Sequence, residues 1–201
     1  MIIAALILAA PLAASLGNDK PRFAFRPALA GRWRDLAPLV GILALLALGT
    51  TLANIQPGLA NLWLYGLHKT LGFIALSLCL IRLIWHHFSP PPPPIGPARA
   101  LTNGLARATH TAIYLLLLAI PLSGWVASAA SGLDVVIFGH ITLPAIAPVS
   151  AAWEDTGFAL HGLLTKALMA LLVAHIAGAS LRGLKHDGTL RRMIHGSTST
   201  D

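Results

Sequence analysis

The chain has 201 residues, 56% hydrophobic and 10% charged, with a mean hydropathy of +0.73. A soluble domain carries far more charge, so this composition excludes that class and describes one compact bundle inside a bilayer. Lysine and arginine number 14 against 7 acids, a formal charge of +7. The basic residues are scattered beside apolar segments, which suits cytoplasmic loops rather than a nucleic-acid binder.

Cys79 is the only cysteine. A disulfide within the chain is excluded, and so is a covalent Cys-x-x-Cys-His haem attachment. Cys79 sits in an apolar run and reads as a small buried hydrophobe.

Met1–Gly17 is apolar but only about 25 Å long as a helix, and Pro11 interrupts it. No lysine or arginine opens it, so it makes a poor signal peptide. It is open to three readings: a short additional apolar helix that anchors, an interfacial helix, or an artefact of start-codon choice. Residues 18–35 follow with Lys20, Arg22, Arg26, Arg32 and Arg34 and read as a basic cytoplasmic stretch.

Leu36–Ile55 is the first expected span, ended by Gln56, Pro57 and Gly58. Trp63–Trp85 is the second, with aromatic residues at both ends to suit the two interfaces. It carries His68 near its start and Arg82 near its end. Pro90–Pro94 cannot be helix and read as a stiff extended connector. The third span starts within residues 102–107, with Thr102 or Asn103 as the N-cap, and runs to about Ala130. It holds His110 and Pro121. Residues 131–152 read as a loop broken by Gly132, Gly139, Pro144 and Pro148.

The fourth span, Gly157–Leu181, is the most informative. It is long enough to cross a bilayer, and His161 and His175 interrupt it fourteen residues apart. Fourteen steps rise about 21 Å and turn about 1400°, some 40° short of four full turns. Both imidazoles therefore point the same way, one near each membrane face. Histidine inside a membrane is costly and marks a functional site by default. A flat, apolar, metal-centred ligand that takes a neutral imidazole on its axis explains both positions, and haem is that ligand. A hydrogen-bonded core histidine is the plainer reading, and partners at matching depths decide between them.

Charge fixes the orientation. The 18–35 stretch, the 86–107 connector and the C-terminus carry the lysines and arginines. The 54–66 connector has no charge, and the 131–155 loop has only acids. The positive-inside rule then places the C-terminus in the cytoplasm. The second and fourth spans both enter from outside, so His68 and His161 match in depth. Opposed on packed helices, they form a bis-histidine cage for one low-spin b haem. His175 and His110 lie near the cytoplasmic face.

At this point the residues resemble a family. Leu67-His68-Lys69-Thr70-Leu71-Gly72 with Arg82 downstream is one motif, and Ala106 to Trp125, with His110, Tyr114, Pro121, Ser123 and Gly124, is another. The pair His161 and His175 and the run Lys185 to Met193 complete the set. Together they resemble the bacterial cytochrome b561 family over roughly residues 36–193. The resemblance implies an all-α, four-helix inner-membrane bundle that holds two b haems and passes electrons between quinone and a periplasmic partner or small oxidant. It implies domains 1–35 (apolar segment and basic stretch), 36–193 (bundle) and 194–201 (polar tail). By the same resemblance His68 and His161 hold the periplasmic haem and His175 one side of the cytoplasmic haem.

The chain departs from the family at one ligand. Members usually carry a histidine near the start of the first span, opposite the residue matching His175. Here that position falls near Leu36, and no histidine precedes His68. Three outcomes stand level: a second haem on His175 and His110, a five-coordinate iron on His175 alone, or a single haem.

Other polar residues carry two readings each. Arg82 and Lys69 could pair with haem propionates or snorkel to the interface. His86 and His87 read as interfacial, with propionate or quinone contact as the lesser reading. His140 is a loop residue, and His186 and His195 lie in the tail. Ser123 and Gly124 read as helix-packing residues.

The expected partners are the lipid bilayer, the quinone pool, and a c-type cytochrome or redox enzyme. A second copy of the chain is admissible. Enzyme activity is left open, with quinone oxidoreduction as its form. The rival function is a haem-free transporter or structural subunit. A transporter should show broken spans and intramembrane acids, and none of the four spans contains Asp or Glu. An anchor subunit for a larger redox enzyme would use the same haems and differ only in partner.

Overall fold

The computed structural model of the chain describes residues 27–88 and 100–184, with side chains over 37–86, Phe88 and 104–181. Met1–Gly17, most of the basic stretch, the Pro90–Pro94 run, His186, His195 and the tail lie outside the described residues. Within them the chain forms four helices: α1 (Pro27–Leu52), α2 (Leu62–Phe88), α3 (Ala100–Ala130) and α4 (Ala151–Leu184).

Leucine- and alanine-rich runs without strand-forming alternation make these segments helical. In α2, α3 and α4 the spans Leu62–His86, Gly104–Ala130 and Ala151–Leu181 are long and apolar enough to cross a membrane. Among the described side chains the apolar part of α1 covers Ala37–Leu52. The first span thus ends three residues before the expected Ile55. Asn54 turns back onto the Thr50 carbonyl at 2.7 Å and Thr51 onto the Ala47 carbonyl at 2.9 Å, which closes the helix. Asn61 then locks the turn into α2, accepting from the Gly58 N–H at 2.8 Å.

The outward faces are apolar: Val40, Ile84, Leu115, Leu163, Val173 and Leu181 are each at least 60% exposed. That is the surface a bilayer covers. The chain is an integral membrane bundle. Successive helices run antiparallel. Leu52 of α1 meets Tyr65 of α2, Phe73 and Arg82 of α2 meet Trp125 and Tyr114 of α3, and Ala127 of α3 meets Gly157 of α4. It follows that α2 and α4 run parallel.

The tightest interface joins α3 and α4. A Cβ on Gly157 would lie 2.8 Å from the Ala127 Cβ and 3.1 Å from its backbone nitrogen. Ala127 is 0% exposed. Small residues bring membrane helices close because lipid supplies no hydrophobic drive between them.

The 131–152 stretch, expected as loop, contains a structured element. Strands β1 (Val135–Ile137) and β2 (Ile141–Leu143) pair antiparallel, Val135 against Leu143 and Ile137 against Ile141. Phe138 and Gly139 turn the hairpin at φ 53 and 77, the left-handed geometry that tight hairpins demand. Glycine and proline spacing concealed two strands of three residues each. Val135 and Ile137 are buried, so the hairpin sits down on the bundle.

Candidate functional site

The antiparallel arrangement brings His68 of α2 and His161 of α4 together, with ring centres 6.2 Å apart and planes at 80°. The His161 ring is fixed by α3: its Nδ1 lies 2.9 Å from the Ile120 carbonyl oxygen and 3.4 Å from Ser123 Oγ. A carbonyl only accepts, so Nδ1 carries the proton and donates it. The Nε2 lone pair is left free. Backbone carbonyls hold the far nitrogen of metal-bound imidazoles in the same way.

Glycines make room for both rings. A Cβ on Gly124 would stand 3.0 Å from His161 Cε1 and Nδ1, and a Cβ on Gly49 would stand 2.9 Å from His68 Cε1. Ser123 and Gly124, expected as helix-packing residues, pack against the His161 imidazole. Gly49 went unnoticed, since nothing in a Leu/Ala/Gly run marks one glycine over another.

The pair suits a haem. Two imidazoles that share one metal, each at about 2 Å, have ring centres roughly 6 Å apart. A histidine kept only for core hydrogen bonding would have its nitrogens paired, yet His68 Nδ1 is buried and unpartnered among the described residues.

A second pair lies at the other end. His110 of α3 and His175 of α4 have ring centres 5.1 Å apart with planes at 60°. That is about an ångström tighter than two imidazoles on one metal require. Leu36 lies in α1, and its side chain is outside the described residues.

The hairpin covers the first pair. Lys69 donates from Nζ to the Asp134 carbonyl at 3.0 Å, and the Phe138 N–H donates to Thr70 Oγ1 at 3.1 Å. Trp125 Nε1 donates to the Pro144 carbonyl at 3.0 Å. Lys69, expected at a propionate or the interface, therefore pins the hairpin beside His68. Arg82, with the same two readings, donates from Nε to Tyr114 Oη at 2.9 Å. His86 joins the same hydroxyl at 3.3 Å. His140 is an exposed turn residue. A groove of about 440 Å³, lined by Gly104, Arg107, Ala108, Thr111, Ala112 and Leu115, lies on the side of α3 roughly opposite His110.

Paired imidazoles between lipid-covered helices are a ligand set that a membrane cytochrome b would use. Comparison with known proteins carries this further. The model of the prokaryotic cytochrome b561 family matches residues 38–196, and the chain belongs to that family. It is 38% identical over 140 residues to cytochrome b561 homolog 2 of Escherichia coli (strain K12), a match that covers 67% of this chain and 72% of that protein. It is 29% identical over 133 residues to a Yersinia pestis protein named as the probable superoxide oxidase CybB, covering 66% of this chain and 75% of that one. Electron transfer by a membrane b-type cytochrome is the function this kinship supports. The family match starts at residue 38, after the Leu36 position where the missing ligand was expected.

Proposed function

We propose that the chain transfers electrons across the inner membrane through a b haem held between His68 and His161, with quinone as one partner and a periplasmic protein or small oxidant as the other. The observation that carries this reading is the pair of facing rings, one of them held by the Ile120 carbonyl. Bound there, haem would supply a one-electron couple, with His68 and His161 as the residues that would hold it.

The chain's own residues do the rest. The Ile120 carbonyl holds the His161 proton on Nδ1 and keeps Nε2 basic. Gly49 and Gly124 leave the imidazoles room to stand upright. The hairpin, tied by Lys69 and Thr70, shields the outer end from water. Exposed apolar faces hold the bundle in lipid, and the basic segments keep the C-terminus in the cytoplasm.

His110 and His175 form, in this reading, the ligand pair of a second haem and replace the histidine absent near Leu36. Their rings must part by about an ångström to admit a metal. Haem counting decides it: two low-spin haems in wild type, falling to one in both His110→Ala and His175→Ala, support the pair. One haem in wild type that survives His175→Ala removes it.

One relative's name adds a specific candidate, superoxide as the electron donor. The test of the main reading is a reduced-minus-oxidised spectrum of the detergent-purified protein. A low-spin b-type spectrum that carbon monoxide barely perturbs is expected. Added superoxide should then reduce that haem only if the named activity applies here.

A further inference from the structure

Near the far end of α2, Arg82 and His86 project from one face onto Tyr114 of α3. Arg82 lies fourteen residues beyond His68, as His175 lies fourteen beyond His161. Because α2 and α4 run parallel, this cluster stands at the depth of the His110–His175 pair, opposite the hairpin.

The proton positions follow from donor chemistry. Arginine has only donors, so its Nε–H points at Tyr114 Oη. The tyrosine proton is then free to point at His86 Nε2, 3.3 Å away. That makes Nε2 the acceptor and puts the imidazole proton on Nδ1. His86 Nδ1 is buried and has no partner among the described residues. A three-residue relay thus ends in a buried N–H without a partner among the described residues. Exposed Ile81 and Ile84 flank the cluster, so the bilayer reaches it.

We infer that Arg82, Tyr114 and His86 form the head-group site of a membrane quinone and deliver its protons, an inference that rests on the electron-transfer reading above. A quinone offers an apolar ring and tail to the lipid side and carbonyl oxygens that accept hydrogen bonds. Reduction takes two electrons, supplied one at a time by the reduced cytochrome, and two protons. Each proton forms one O–H bond as a C=O double bond becomes a C–O single bond and the ring becomes aromatic. For the first, His86 gives up the Nδ1 proton and takes the Tyr114 proton on Nε2; the second comes from water at the helix end. Water at the helix end restores the tyrosine, and Arg82 steadies the phenolate meanwhile. A phospholipid phosphate would also accept from Arg82. It has no use for two proton-exchanging groups beside the single fixed charge, and the quinone is therefore the better match.

The test is equilibrium dialysis of a short-chain 1,4-benzoquinone against full-length protein in detergent. Tyr114→Phe and His86→Leu should each weaken retention about tenfold, the worth of one lost hydrogen bond. The double variant should be scarcely weaker than either, because the two act as one relay. His86→Gln, which keeps an N–H donor, should hold the quinone within about threefold. Unchanged quinone retention in Tyr114→Phe and His86→Leu overturns the inference. So does a variant series that changes retention of phosphatidylglycerol but not of quinone, since the site would then be a head-group clamp. Quinone retention is read without haem. A wild-type protein that lacks a b-type spectrum yet shows this mutant pattern sinks the electron-transfer reading and leaves the quinone site standing.

Discussion

The Nδ1 of His161 lies 2.9 Å from the carbonyl oxygen of Ile120, the residue before Pro121. Pro121 has no N–H to give Leu117, so α3 lacks one internal bond a turn from this contact. Main chain, which side-chain substitution cannot remove, therefore sets the imidazole's tautomer and direction.

Gly124 keeps the ring in that position. Gly124→Val should push the imidazole off the carbonyl and lower haem retention roughly 10–100-fold, the usual range for losing a support behind a metal ligand. Gly162→Ala is the control, because a Cβ there meets nothing within 4 Å. Haem content per chain after detergent extraction should fall in the first variant and hold in the second.

Gly157 sets the distance between α3 and α4. A side chain at that position meets Ala127 backbone at 3.0–3.1 Å, which cannot move as a flexible tip can. Gly157→Leu should cost about 1–3 kcal/mol through overpacking, read as a lower midpoint of thermal unfolding in detergent. Gly178→Ala, with open space around it, should shift that midpoint little or upward, since alanine favours helix by about 1 kcal/mol.

The hairpin has a weak point and a strong one. Phe138 holds a left-handed φ of 53, which costs a side chain about 1 kcal/mol or more. Phe138→Gly should slow hydrogen exchange of the 135–143 amides. Thr70→Val removes the acceptor of the Phe138 N–H and should speed that exchange about tenfold. Equal exchange in both variants would mean that the hairpin is held by burial of Val135 and Ile137 alone.

Much of the fold was legible because span length, terminal aromatics and charge asymmetry are properties of residues in order. The fourth span's two histidines gave their own spacing, and depth matching on two spans that enter from the same side paired His68 with His161. What stayed hidden depends on neighbours remote in sequence. Gly49 and Gly124 differ from other glycines only by the ring each faces, and Tyr114 gains meaning only from Arg82 and His86 on another helix. Strands of three residues carry too little periodicity to stand out between glycines and prolines. The first helix was misplaced at its end because Asn54 and Thr51 fold back onto carbonyls of the last turn, where composition alone suggested continuation.

The central claim is that one haem bridges α2 and α4, and haem quantification in His68→Ala and His161→Ala tests it most directly. Protein from haem-replete cells is assayed by pyridine haemochrome together with a low-temperature reduced-minus-oxidised spectrum. The account predicts that each substitution removes the same single spectral component, because either loss leaves the iron with one axial bond in an apolar slot. Wild-type protein without that component, or either variant retaining it undiminished, would contradict the account.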